Sequence, residues 1–261
     1  MKKQLILMAL FLCLFLTACG DKAAEGDEEG AAGTGRPVEN DADAGEADED
    51  SISNQIQLIA DHVSLWQNDM ETDLHGYAVT DLDNNGRLEI ISSSCQGTGL
   101  YTYSDIREVN EAMDGLTLCI QEKEEGGSQA DIMVQSVPVY YDSSSNIYYY
   151  IFDDLIKNGA AEYYENKRAV SLQDGQVLET FLAYKTTIYT DSDPTVTYTD
   201  ADNRSISEEE YDGIADQIFS GLDKKQADIQ WITNESARLK DMSDREIYAM
   251  LEESCNAFSV K

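Results

Sequence analysis

Between residues 51 and 70 apolar side chains return at helical spacing. Ile52, Ile56, Ile59, Val63, Trp66 and Met70 make one stripe, with Gln, Asn and Asp opposite, which predicts an amphipathic helix. The period then shortens. Tyr77 and Val79 alternate with Ala78 and Thr80, and Leu88–Ile91 reads as extended. Leu100–Tyr103 and Leu116–Ile120 predict short strands around a weakly helical stretch, 105–114. Residues 122–131 read as an exposed polar loop.

From Ile132 the pattern predicts an antiparallel β-meander. Its first strand, 132–141, contains Pro138, which argues for a sheet edge because proline cannot donate to a ladder. Residues 142–146 turn the chain into Ile147–Phe152. Asp174-Gly175 joins strands 163–172 and 177–189 as a hairpin, since both residues tolerate positive φ. Thr195–Thr199 closes the set. Tyr148, Tyr149 and Tyr150 suggest a glycan platform, but alternation would send them to both sheet faces, so a packing role is favoured.

Two capping boxes follow, Ser207–Glu210 and Ser243–Glu246. Each opens a helical stripe: Tyr211, Ile214, Ala215, Ile218, Phe219 and Leu222 in one, Ile247, Met250, Leu251, Cys255 and Phe258 in the other. A short strand, 228–232, is predicted between them. The fold class is therefore α+β: an N-terminal helix, an antiparallel β-meander and two C-terminal helices in a single domain, 51–261.

The N-terminus changes where this domain is expected to work. Met1-Lys2-Lys3 precedes an apolar run, Leu5–Phe15, that is short for a membrane span and suits an export signal. It ends in Leu16-Thr17-Ala18-Cys19-Gly20, which resembles the lipobox of bacterial lipoproteins. That resemblance implies a signal peptide over 1–18, a lipidated Cys19 and a chain anchored on the extracytoplasmic face of the cell membrane. Residues 20–50 are dominated by Ala, Gly, Asp and Glu, with Val38 as the one large aliphatic, and are expected to form a disordered acidic linker.

The formal charge is −33, from 51 acids against 18 Lys and Arg. Such a surface repels phosphate backbones, so nucleic acid is excluded as an expected partner. Cations and basic surfaces are attracted instead. Three of the five cysteines, Cys95, Cys119 and Cys255, lie in the domain. A Cys95–Cys119 bridge is one option, and Cys255 falls on a helix's apolar face.

Chemistry-bearing spacing occurs at Asp81-Leu-Asp83-Asn-Asn85-Gly86-Arg87-Leu-Glu89. Oxygen ligands at alternate positions, a glycine for the tight turn and a backbone carbonyl at Arg87 suit a hard cation such as Ca2+. An EF-hand would need an acid where Ser92 stands, and a helix after it. With the acid at Glu89, the loop resembles the Asp-x-Asp-x-Asp-Gly-x-x-Asp loops of FG-GAP and integrin-type repeats. The resemblance implies Asp81, Asp83, Asn85, Arg87 and Glu89 as ligands between two strands. Asn85-Gly86 is also a favoured hairpin turn in its own right, so a plain turn stays open. Asp200-Ala-Asp202 echoes the loop without its glycine. Taken together, lipobox, acidic spacer, first helix and single acidic hairpin resemble the layout of Gram-positive bacterial lipoproteins, which implies an anchor and no particular activity.

Two histidines, His62 and His75, are few for histidine-based catalysis, and His-Glu-x-x-His, Gly-x-Ser-x-Gly and Cys-x-x-Cys are all missing from the sequence. A Cys95–His75 pair has nothing to orient its base. The expectation is a non-enzymatic binding or interaction module, stabilised by calcium, for a protein, peptide or glycan ligand. The alternative is an extracytoplasmic hydrolase acting on carbohydrate or cell-wall material through a carboxylate pair.

Overall fold

The computed structural model describes residues 49–67, 74–121, 128–191, 193–233 and 239–261. The stretch read as an export segment, Cys19, most of the stretch read as an acidic linker, and Met70 lie outside them. The described residues are mostly β with a few helices, an α+β chain.

The helical stripe folds as α1 (Glu49–Asp61) and α2 (Val63–Trp66), separated at His62. Two sheets follow. The first has the order β12-β1-β2-β3-β4, from β1 (Leu74–Thr80), β2 (Glu89–Gln96), β3 (Tyr101–Val109), β4 (Leu116–Leu118) and β12 (Ile232–Thr233). The second runs β10-β9-β8-β7-β6-β11-β13, from β6 (Ser136–Asp142), β7 (Ile147–Asn158), β8 (Glu162–Gln173), β9 (Gln176–Ile188), β10 (Thr195–Asp200), β11 (Asp223–Asp228) and β13 (Ser259–Val260). β5 (Ile120–Gln121) pairs with β9 in parallel, so the chain passes from one sheet to the other at Cys119. Two short helices, α3 (Glu208–Asp212) and α4 (Ile214–Ile218), meet at Gly213, and α5 (Asp244–Ala257) precedes β13. Both capping boxes form. None of the described helices is long and apolar enough to cross a membrane.

Part of each sheet is covered on both faces, and neighbouring residues there enter different cores. Ala78, Ile91 and Ile106 face inward and meet Val139, Tyr150, Phe152 and Val170 of the second sheet. Their neighbours Tyr77, Val79 and Ile90 pack against Ile56, Ile59, Ile247 and Leu251 of α1 and α5. On the far side Tyr140, Ile151 and Leu182 pack against Tyr211 and Ile214 of α3 and α4. Burial on two faces is why these strands read as apolar runs and not as clean alternation. Tyr148 and Tyr150 go to the inner core while Tyr149 packs toward α4, so the tyrosines do serve both faces.

Several expectations are corrected. Residues 105–109 belong to β3, not to a helix. Thr102, Ser104 and Glu108 occupy inward positions beside Ile106, and these polar residues concealed the period of two. Of the loop read as exposed, Ser128, Gln129 and Ala130 are buried, and residues 122–127 lie outside the described ones. Pro138 sits in an interior strand between β7 and β11. It is tolerated because its partner Gln226 exchanges both backbone hydrogen bonds with Lys261, the residue after β13, so β11 asks for no proline N–H. On its other side the β6–β7 pairing starts only at Val139. The 228–232 strand resolves into the end of β11 and the start of β12.

Candidate metal centre

The β1–β2 connection is a hairpin loop held open by its own acids. Register pairs Thr80 with Glu89 and Glu89 with Glu108, so Glu89 is the first β2 residue and points inward. Asn84 (φ 54°) and Gly86 (φ 82°) take left-handed conformations that bend the loop back. Asp81 accepts the Asn85 N–H (3.0 Å) and the Gly86 N–H (3.1 Å), while Asp83 accepts the Asn85 N–H at 3.3 Å. Two distant side chains fasten the loop. Gln55 of α1 donates to the Gly86 carbonyl (2.9 Å) and accepts the Leu88 N–H (2.8 Å). The Tyr150 hydroxyl donates to the Leu82 carbonyl (2.8 Å).

This folding gathers Asp81, Asp83 and Glu89, whose ligand atoms lie within 4.8 Å of one another. Glu89 is fully buried. Its Oε2 accepts from Thr80 Oγ1 (2.9 Å) and the Leu82 N–H (2.8 Å), whereas its Oε1 is buried with no hydrogen-bond partner. Burial, with Asp81 next, pushes the Glu89 carboxyl well above the usual range. Burial and then Glu108 push Asp83 up to about 6, and Asp81 is raised for the same first reason. Arg87 offsets the rise at Asp83 only as a minor effect, because its guanidinium is committed to Glu108 through two contacts of 2.9 Å. Three hard oxygen donors in a group, one buried and unpartnered, are a set that could hold a metal ion.

Asn85 and Arg87 are arranged differently from the three acids. Asn85 Oδ1 accepts the Arg87 N–H (2.7 Å), and its Nδ2 donates to Asp83 (3.0 Å) and Glu108 (2.6 Å). Ser92 lies three residues inside β2, opposite Tyr77. Sequence spacing missed Gln55 and Glu108. Gln55 stood on the polar side of the α1 stripe, and Glu108 stood in the stretch read as helical, so neither carried a local signal. The Asp200 echo is a self-contained turn: its carboxylate accepts from the Asp202 and Arg204 backbones and from Arg204 Nε.

Thiol chemistry finds no support. Cys95 is opposite Thr102, while the Cys119 N–H bonds to Ile106 four residues farther along β3, roughly 13 Å by strand rise. A disulfide needs Cα atoms within about 7 Å, so the two do not bridge, and Cys119 is a thiol. His75 is opposite Ser94 and Cys95 opposite Leu74, which places the His75 and Cys95 side chains on opposite sheet faces. Burial, with Glu89 next, pushes Cys119 up to about 12, and burial raises Cys255 to about 11. Neither is a nucleophile at neutral pH.

Comparison with protein-family models, with curated proteins and with solved structures returns no match, and no family is identified.

Proposed function

We propose that this chain is a lipid-anchored, extracytoplasmic, non-enzymatic binding module whose β1–β2 loop is closed by a calcium ion on Asp81, Asp83 and Glu89. The observation that carries the metal is the buried, unpartnered Glu89 Oε1 beside two more carboxylates. A buried carboxylate oxygen without a donor costs about 1–3 kcal/mol or more, and a cation removes that cost. The all-oxygen set suits calcium over softer metals, with Asn85 Oδ1 and the Arg87 carbonyl as the remaining proposed ligands. The lipobox at Cys19 supports attachment outside the cytoplasm, where calcium is abundant enough to fill a weak site. The acidic surface favours a protein, peptide or glycan partner that carries positive charge. A carboxylate-pair hydrolase has less to rest on, because Glu89 is fully buried.

Thermal unfolding of the full-length chain in calcium and in chelator tests the metal. The midpoint should rise with calcium, by an amount equivalent to about 2.7 kcal/mol at a hundredfold excess over Kd. An unchanged midpoint across millimolar calcium overturns it. Labelling cells with a fatty-acid analogue tests the anchor: Cys19→Ala should abolish both label and membrane retention.

A further inference from the structure

The Asn85-Gly86 peptide has a second kind of chemistry available. Asparagine side chains are attacked by the following backbone nitrogen when that nitrogen is unhindered, deprotonated and close. Gly86 supplies the first condition, since it has no Cβ and open space where one would be. Asp81 Oδ2 accepts the Gly86 N–H at 3.1 Å, as a base for that nitrogen would. The Arg87 N–H donates to Asn85 Oδ1 at 2.7 Å. That bond closes a hydrogen-bonded ring that contains the Gly86 nitrogen, and it presents a donor to the oxygen that gains charge.

We propose that Asn85 is a site of self-catalysed deamidation, with Asp81 as the base and the Arg87 N–H as the oxyanion donor. The Gly86 nitrogen bonds to Asn85 Cγ as Asp81 takes its proton. The Cγ–Nδ2 bond breaks, and the proton goes to the departing nitrogen, which leaves as ammonia. A succinimide remains, and water opens it. Opening at Cγ leaves an aspartate at position 85, and opening at the main-chain carbonyl leaves an isoaspartate. Water is consumed, ammonia is released, and nothing is oxidised or reduced.

Both products change the loop. The Nδ2 contacts to Asp83 and Glu108 are replaced by a carboxylate facing carboxylates. Aspartate also gives the loop a third acid at alternate spacing, and therefore a stronger demand for a cation. Where the calcium reading holds, calcium acts as the brake, because it engages Asp81 and removes the base.

The chain carries its own comparator, Asn158-Gly159, at the β7–β8 turn. There Asn158 Nδ2 donates to Glu162 (2.8 Å), and among the described residues no carboxylate accepts the Gly159 N–H. The test is to age the full-length chain in chelator and map its peptides by isoaspartate-resolving mass spectrometry. Asn85 should convert at least about tenfold faster than Asn158, a modest share of what a positioned base contributes. Asn85 remaining an amide, or converting no faster than Asn158, overturns the proposal. Asp81→Asn should bring the Asn85 rate down to that of Asn158, and an undiminished rate in a variant that still folds also overturns it. A calcium arm separates the two ideas. Rapid Asn85 conversion that calcium fails to slow upholds the modification and counts against calcium at the loop.

Discussion

The two ends of the inter-sheet core handle buried acid in opposite ways. Near Thr102, roughly 20 Å along β3 from Glu108, Asp154 and Glu179 share a cation supplied from within, although burial still holds the Asp154 carboxyl above its usual range. Arg168 donates to Asp154 (2.6 Å), Glu179 (2.8 Å) and the Ser128 carbonyl (2.8 Å), and it lies over the Phe181 ring. Ser128 and Asn166 also donate to Asp154, while Thr102 bonds to Asp131 and Gln129 to Gln121. At the loop end three carboxylates gather with none of them ion-paired among the described residues, and the guanidinium of the loop, Arg87, pairs with Glu108. One end carries its counter-charge in the sequence. The other is built to take it from outside, which makes its order conditional on what the solution contains.

Breaking the self-sufficient end should have the largest effect. Arg168→Leu leaves Asp154 and Glu179 without their cation, and removing one partner of a buried pair costs about 3–5 kcal/mol. Denaturant unfolding should show that loss equally with calcium and with chelator. A near-neutral result would mean that the network is looser than its distances indicate.

At the loop end a single substitution should change sign with the solution. In Glu89→Gln the amide oxygen keeps the Thr80 and Leu82 donors, and the new NH2 replaces the orphan oxygen and donates to a neighbouring acid. In chelator the variant should gain about 1–3 kcal/mol over the parent, the usual range for an unsatisfied buried polar atom. In calcium it should be the less stable of the two. Melting both proteins in both solutions checks this, and a loss of stability in chelator would sink the idea that Glu89 is uncompensated.

How much of this was legible in the sequence depends on range. The hairpin at Asp174-Gly175, both capping boxes and the alternate acids at 81, 83 and 89 are set within a few residues, and each was read correctly as a local feature. Gln55 and Glu108 reach the loop from 31 and 23 residues away, so the fastening was not readable. Pro138 misled for the same reason. Whether a strand needs a given N–H depends on its partners' register, which Lys261 settles from the far end of the chain.

Acidity should sharpen the contrast further. Raised carboxyls favour the folded state while protonated. Their contribution is therefore complete below the unfolded carboxylate range and is lost as pH rises through the folded values, about 6 for Asp83 and well above normal for Glu89. In chelator the melting midpoint should fall between pH 5 and pH 7. Calcium should offset that fall, because it binds the ionised form. Glu89→Gln in chelator should show a shallower decline, and a midpoint that rises with pH would contradict the assigned cause.

The smallest effect belongs to the acidic turn that resembles the site by sequence alone. Asp200 is already satisfied by two backbone N–H groups and by Arg204, which hold its carboxyl below the usual range. Asp200→Ala should lower the melting midpoint slightly and leave the calcium-induced rise at its parental size. Asp81→Ala should remove that rise. If Asp200→Ala weakened the calcium response as Asp81→Ala does, general attraction by the acidic surface would explain the response, and the comparison between an internally paired end and an open one would lose its basis. A calcium response that tracks Asp81 and ignores Asp200 separates a built site from mere negative charge, since both carboxylates accept backbone N–H groups in a tight turn and only one lies beside a buried, unpartnered oxygen.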